Sequence, residues 1–307
     1  VKSTLTAVML AAFIVPLSSQ QVADTTYRPV VENPEYPTGG GPVVLLDAAH
    51  HNFHTLDGRF LAFGRVLQAD GYIVRSSEAP FTASLLRDAA ILVISNAINE
   101  RNVDDWSLPT PSAFSADEIG AVREWVESGG SLWLIADHMP MPGAASDMAA
   151  AFGVQFNNGF AIDTLSRSVT IFRRSDGSLR DHPVTRGRNA AERVDSIRTF
   201  TGQAFQADSH ASPIFVFRRP TISLMPDVAW EFETNTRVVP VDGWFQGAVA
   251  HVGSGRVAVF GEAAMFTAQW AGHENGWFGL RSPGAEHNQQ FLLNVAHWLS
   301  GLIPDRQ

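Results

Sequence analysis

Three places in this 307-residue chain set an acid at the end of an apolar run and follow it with imidazole or amide groups. Asp47 closes "VVLLD" and is followed by His50, His51, Asn52 and His54. Asp137 closes "LWLIAD", with His138 next to it. Glu262 closes "VAVFGE" and leads through a loop to "EHNQQ", which contains His287 and Asn288. Imidazole and carboxylate together suit two chemistries. One holds a divalent ion such as zinc, with an open position that activates water. The other needs no metal and uses histidine as a general base oriented by a carboxylate.

In the metal version the expected ligands are His51, His54, His138 and Glu262, and Asp47, His50 and Asp137 are the expected catalytic groups. Asn52, Asn96, His287 and Asn288 are candidates for holding substrate. Trp277 joins them because its loop also carries Trp270 and Phe278 among glycines, and exposed aromatics there would offer a platform for sugar rings or act as a lid. A single histidine beyond a strand more often bonds to backbone than to a ligand. The coincidence of three such strand ends is what marks a site.

Other chemistries are poorly represented. "HHNFH" is not the H-E-x-x-H zinc motif, and neither a G-x-S-x-G elbow nor a phosphate-cradling G-x-x-x-x-G-K is present. Without an elbow, Ser95 is a weak nucleophile candidate. There is no cysteine, which removes thiol nucleophiles, thiolate ligands, disulfides and lipidation through cysteine. His182, His251 and His297 read as structural, and Asp57 as a helix cap.

These residues meet only if their strands run side by side in one direction. The first half of the chain supplies that pattern: apolar runs at 42–47, 72–76, 89–95 and 131–137 alternate with helical segments at 57–69, 82–88 and 115–128. The last of these helices is the best marked. Ser115 and Glu118 form a capping-box pair, Ile119, Val122, Trp125 and Val126 share a face, and Gly129 and Gly130 stop it. Near-continuous apolar strands alternating with helices predict a mostly parallel α/β sheet of Rossmann type with right-handed crossovers. Between about 159 and 250 the pattern turns β-rich, and we expect an insertion within a single α/β domain spanning 42–303. A closing helix carries Phe291, Leu292, Val295, Trp298 and Leu299 on one side.

Composition sets the outer bounds. With 45% hydrophobic and 17% charged residues the chain can bury a full core. A formal charge of −9 with no basic run offers no phosphate-binding face, so no nucleic-acid partner is expected. Residues 1–19 have the charged start, apolar stretch and small polar end of a secretory signal, too short to span a bilayer, and 20–41 read as an extended lead-in. A periplasmic or secreted protein with no membrane span after cleavage is the expectation.

"VVLLDAAHHN", "FSADEIGAVREWVESGGSLWLIAD", "AAAFGVQF", "HPVTRG", "GRVAVFGEAAMF" and "NQQFLLNVAHWL", in that order over about 42–300, resemble the class I glutamine amidotransferase-like superfamily, in particular an uncharacterised exported branch of it. The resemblance implies a flavodoxin-like sheet with flanking helices. Active members place a cysteine at the turn after a central strand. Here that turn is "IADHMPMPG", with Asp137 and His138, so thiol glutaminase chemistry is excluded and the scaffold alone carries over. The expected function is an exported hydrolase that activates water against an ester, amide or glycosidic-type bond in a small or saccharide substrate. The alternative is a noncatalytic module that binds a glycan or a partner at the same rim.

Overall fold

The computed structural model describes residues 21–165, 170–272 and 276–304, so the expected leader at 1–19 lies outside the described residues. The main sheet has nine strands: β1 Val43–Asp47, β2 Ile73–Ser77, β3 Ile91–Ser95, β4 Ser131–Ile135, β5 Val154–Phe156, β6 Phe205–Ala207, β7 Ser212–Val216, β8 Phe245–Val252 and β9 Gly255–Phe260. Their order is β2-β1-β3-β4-β9-β8-β6-β5, with β7 also paired to β8. Neighbours from β2 through β9 are all parallel. From β9 onward every pairing is antiparallel. The fold is therefore mixed α/β, and the expected parallel arrangement holds for one half of the sheet.

The switch of direction follows from chain length. β9 returns beside β4 as a parallel strand, but Gly253 and Ser254 alone separate β9 from β8, and a two-residue turn can join only antiparallel strands. Gly253 takes φ +59°, and a Cβ there would meet the backbone of Glu127 at 2.5 Å, so this turn requires glycine.

β1, β3 and β4 are almost wholly apolar because both faces of the sheet are covered. Alternation along β4 sorts its side chains. Leu132 and Leu134 pack with Val122 and Val126 of α2 (Ala116–Glu127). Trp133 and Ile135 face the opposite core, with Phe63 of α1 (Leu61–Ala69) and Phe291 and Trp298 of α3 (Asn288–Leu299). α2 has the expected capping box: Ser115 Oγ accepts from Glu118 N, and the Glu118 carboxylate accepts from Ser115 N. α1 starts later than expected. Its N-cap is Phe60, with no side-chain cap, and Asp57 instead accepts the Thr55 hydroxyl at 2.6 Å, so Asp57 is not the cap. His297 is structural, lying 2.7 Å from Asp70 at the end of α1.

Within 159–250, Phe160–Asp163, Thr221–Met225 and Arg237–Pro240 form a separate three-stranded sheet, while β6, β7 and β8 extend the main one. Two segments expected to be loop or lead-in are also paired. Ala268–Trp270 lies between Trp277–Gly279 and Val22–Ala23. Among the described residues no helix is long and apolar enough to cross a membrane.

Candidate functional site

The carboxyl ends of β1, β3, β4 and β9 lie side by side, and side chains stitch them together. Asn52 donates to the Asp47 carboxylate at 2.9 Å and to the Ser95 carbonyl at 3.3 Å. Asn96, just beyond β3, accepts from Asp137 N at 2.8 Å. Asp137 Oδ2 accepts from Ala263 N at 3.4 Å, next to Glu262. Asp47, Asn96, Asp137 and Glu262 thus share one edge, the edge where open parallel sheets place their ligands.

Within the "DAAHHNFH" loop, which holds Asp47, His50, His51, Asn52 and His54, the side chains separate into distinct roles. His50 is clamped: Nδ1 donates to both oxygens of the fully buried Asp47 at 2.9 Å, and Nε2 lies 2.8 Å from Glu118 Oε1. Burial pulls its pKa down, but hydrogen bonds to the two carboxylates outweigh this and raise it. Both ring nitrogens are committed, so His50 is a structural cation and not the expected catalytic group. Asp47 is likewise committed, to His50, Asn52 and Ala49 N. Asn52 is buried and holds the loop together, with its oxygen accepting from His50 N, so it is not a substrate contact. His51 is exposed with φ +47°. His54 is buried, stacked on Phe60 at 4.7 Å with Nδ1 3.2 Å from Ser95 Oγ, and burial lowers its pKa to about 3. It is a neutral imidazole.

His138 is arranged differently. Its Nδ1 lies 2.8 Å from the Met139 carbonyl, which can only accept, so Nδ1 carries the proton and neutral Nε2 is an acceptor. The ring stacks on Phe160 at 4.6 Å and meets the edge of Trp230 at 4.6 Å, and burial lowers its pKa. It remains partly accessible. Asp137 beside it has its pKa raised by burial, against the pull of His138. Glu262 is raised well above the carboxylate range, first by burial and then by the charge of Asp137. Two buried carboxyls and a neutral imidazole thus meet at the ends of β4 and β9.

The proposed zinc ligands do not fit a metal in this arrangement. Glu262 accepts from Ala264 N and Met265 N, one on each oxygen at 2.9 Å, and burial favours its neutral form. His54 and Glu262 are spent on Ser95 and backbone, and His51 is exposed whereas the other groups are buried or partly buried. Among the described residues no three histidine or carboxylate side chains are placed to hold an ion. Trp277 is no lid. It is part of a strand, packed on Trp270 at 4.8 Å and under Arg281 at 5.2 Å. His287 accepts from Asp195 N and Ser196 N at 3.3 Å, and buried Asn288 bonds the Arg198 backbone and the Met265 carbonyl. Both serve the start of α3.

The aromatic wall beside the site comes from residues that sequence reasoning did not select. Trp106 lies 6.1 Å from His138 and 5.6 Å from Phe53, and Trp230 is half exposed with φ +70°. Their segments pair through Leu108 N to the Asp227 carbonyl at 2.8 Å and Ala229 N to the Trp106 carbonyl at 3.0 Å. No local motif marks either tryptophan. The "VAW" and "VDDW" settings read as ordinary loops.

No family model matches the chain. No curated protein matches it either. Among solved structures, the "mmIFT52 N-terminal domain" is 13% identical, with TM-score 0.57, over 84% of this chain and 97% of that one. A cytoplasmic protein from Salmonella typhimurium is 11% identical, with TM-score 0.49, over 84% and 98%. A ThuA-like protein from Parabacteroides merdae is 12% identical, with TM-score 0.46, over 87% and 93%. The first of these shows a shared fold alone, and no chemistry is carried over from any of them.

Proposed function

We propose that the edge formed by Asp137, His138 and Glu262 is a metal-independent acid–base site of an exported hydrolase, acting on a small ring-bearing substrate of saccharide type. The single observation that carries this reading is the state of His138. With Nδ1–H fixed on the Met139 carbonyl, Nε2 offers a lone pair beside Asp137, whose carboxyl burial shifts toward the protonated form. Nε2 takes a proton from water as the water oxygen bonds to the substrate carbon. The bond to the leaving group breaks, and Asp137 delivers its proton to the departing oxygen or nitrogen. Glu262, shifted toward its neutral form by burial, lets the adjacent Asp137 exchange its proton with less negative charge nearby. In this reading the chain is an amidotransferase-like scaffold without the nucleophilic cysteine, supported by the β2-β1-β3-β4-β9 order of the parallel strands.

The second reading, a noncatalytic glycan-binding module, is favoured by the half-exposed Trp230 beside Trp106. Screening purified protein against chromogenic esters, amides and glycosides, with and without chelator, separates the two. Chelator-insensitive turnover that disappears in His138→Ala and Asp137→Asn supports the acid–base site. Saccharide binding with no turnover of any substrate would overturn it in favour of the module.

A further inference from the structure

Arg59 stands immediately before the N-cap of α1 and is partly buried, yet among the described residues it has neither a carboxylate partner nor a hydrogen bond. Its Nε is fully buried without a partner. The guanidinium lies 3.9 Å over the Phe53 ring, Phe53 meets the edge of Trp106, and Trp106 faces His138. A continuous run of aromatic surface therefore joins the unpaired cation to the acid–base groups. Burial lowers the pKa of Arg59, and apart from the Phe53 ring face no charge or hydrogen bond offsets that burial. Desolvating a charge without pairing it is unfavourable, so a site that keeps one is arranged for a partner the chain does not supply.

We propose that Arg59 anchors an anionic group on the ligand of this rim, so that the molecule taken there is a ring carrying a carboxylate or a phosphate. This rests on the reading of the rim as a substrate site and narrows its substrate class. A guanidinium suits the role because its planar fork matches both anions bidentately, and its own face is already set by stacking on Phe53. The ring of the ligand would lie along Trp106 and Trp230 toward His138. Because the chain as a whole carries −9, affinity for an anion must be local and not a general attraction.

Calorimetric titration with D-glucuronate, glucose 6-phosphate and D-glucose at matched ionic strength tests this, using wild type, Arg59→Met and Arg59→Lys. At least one anionic probe is expected to bind about tenfold or more tightly than glucose, and which one does so tells carboxylate from phosphate. Arg59→Met should lose that preference while melting no lower than wild type, because it removes an unpaired charge and keeps most of the packing. Arg59→Lys should keep part of the preference. Equal binding of glucose and both anions, anion binding unchanged in Arg59→Met, or no binding of any probe at millimolar concentration overturns the proposal. Turnover of neutral substrates that needs His138 but not Arg59 would sink the anchor and leave the acid–base site standing. Anion preference with no turnover would do the reverse.

Discussion

His50 Nε2 lies 2.8 Å from Glu118 Oε1, joining the loop after β1 to the first turn of α2. Glu118 is also the third residue of the helix, the acid of its capping box, and accepts from Phe81 N at 3.1 Å. One carboxylate therefore fixes a helix start, a neighbouring loop and the histidine that orients Asp47. Phe81 and Phe114 flank the imidazole at 4.8 and 4.6 Å and limit the water that reaches it.

The pair should behave as a unit. Replacing either partner, as His50→Gln or Glu118→Gln, is expected to cost about 2–4 kcal/mol, because each leaves a desolvated group behind. A double-mutant cycle by urea unfolding should give a coupling of about 1–3 kcal/mol. Strict additivity would mean that the contact contributes nothing beyond its parts.

Two histidines should shape stability against pH from opposite sides. The folded pKa of His50 is raised above 6.5, so its contribution is complete below 6.5 and lost as pH rises through the folded value. His54 is depressed from 6.5 to about 3, so stability is lost as pH falls between those values, by up to several kcal/mol. Glu118, depressed from 4.5, adds to the acid loss as pH falls through its folded value. Asp137 and Glu262, raised from 3.8 and 4.5, oppose it by favouring the folded state as they take up protons. Melting temperature followed against pH should show His50→Gln flattening the alkaline fall and His54→Phe flattening the acid one.

Asp137→Asn should separate stability from activity. The substitution keeps the Oδ1 acceptor for His138 N at 2.9 Å and disturbs only the 3.4 Å contact with Ala263 N. It also removes the group whose ionised form raises Glu262. Unfolding free energy at pH 8 is expected to hold or to rise by about 1 kcal/mol, while turnover falls about 100-fold or more. A large loss of stability with activity retained would contradict the assigned role.

Trp230 offers a similar contrast. A tryptophan at φ +70° carries backbone strain of about 1–2 kcal/mol, which glycine does not. Trp230→Gly should therefore melt close to wild type despite losing contacts with His138, Phe160 and Phe232. Affinity for ring-bearing ligands should fall about tenfold or more, measured on the same preparation.

Much of the scaffold was readable in the sequence. The capping box of α2, the apolar strands and the acids at their ends are local or periodic signals, and all three are present in the fold. Individual side-chain roles were less accessible. His50 and His51 are adjacent, yet one is clamped between two carboxylates and the other is exposed with a left-handed backbone. That difference depends on Glu118, 68 residues away from His50, which no local pattern reveals. The aromatic wall was missed for the same reason, because Trp106 and Trp230 meet through a pairing of two distant loops. The antiparallel half of the sheet was implicit in the two residues between β8 and β9, a length signal that outweighs the strand composition.

His138 and Asp137 stand at the tip of a strand from the parallel half, whereas Phe160 and Trp230 arrive from the separate β-rich stretch. Reactive groups and the surfaces that touch them are therefore written in different parts of the gene. Changes confined to the 221–240 part of the small sheet would retune which molecule is accepted while leaving the proton-handling pair on the main sheet, so diversification of this architecture should concentrate there.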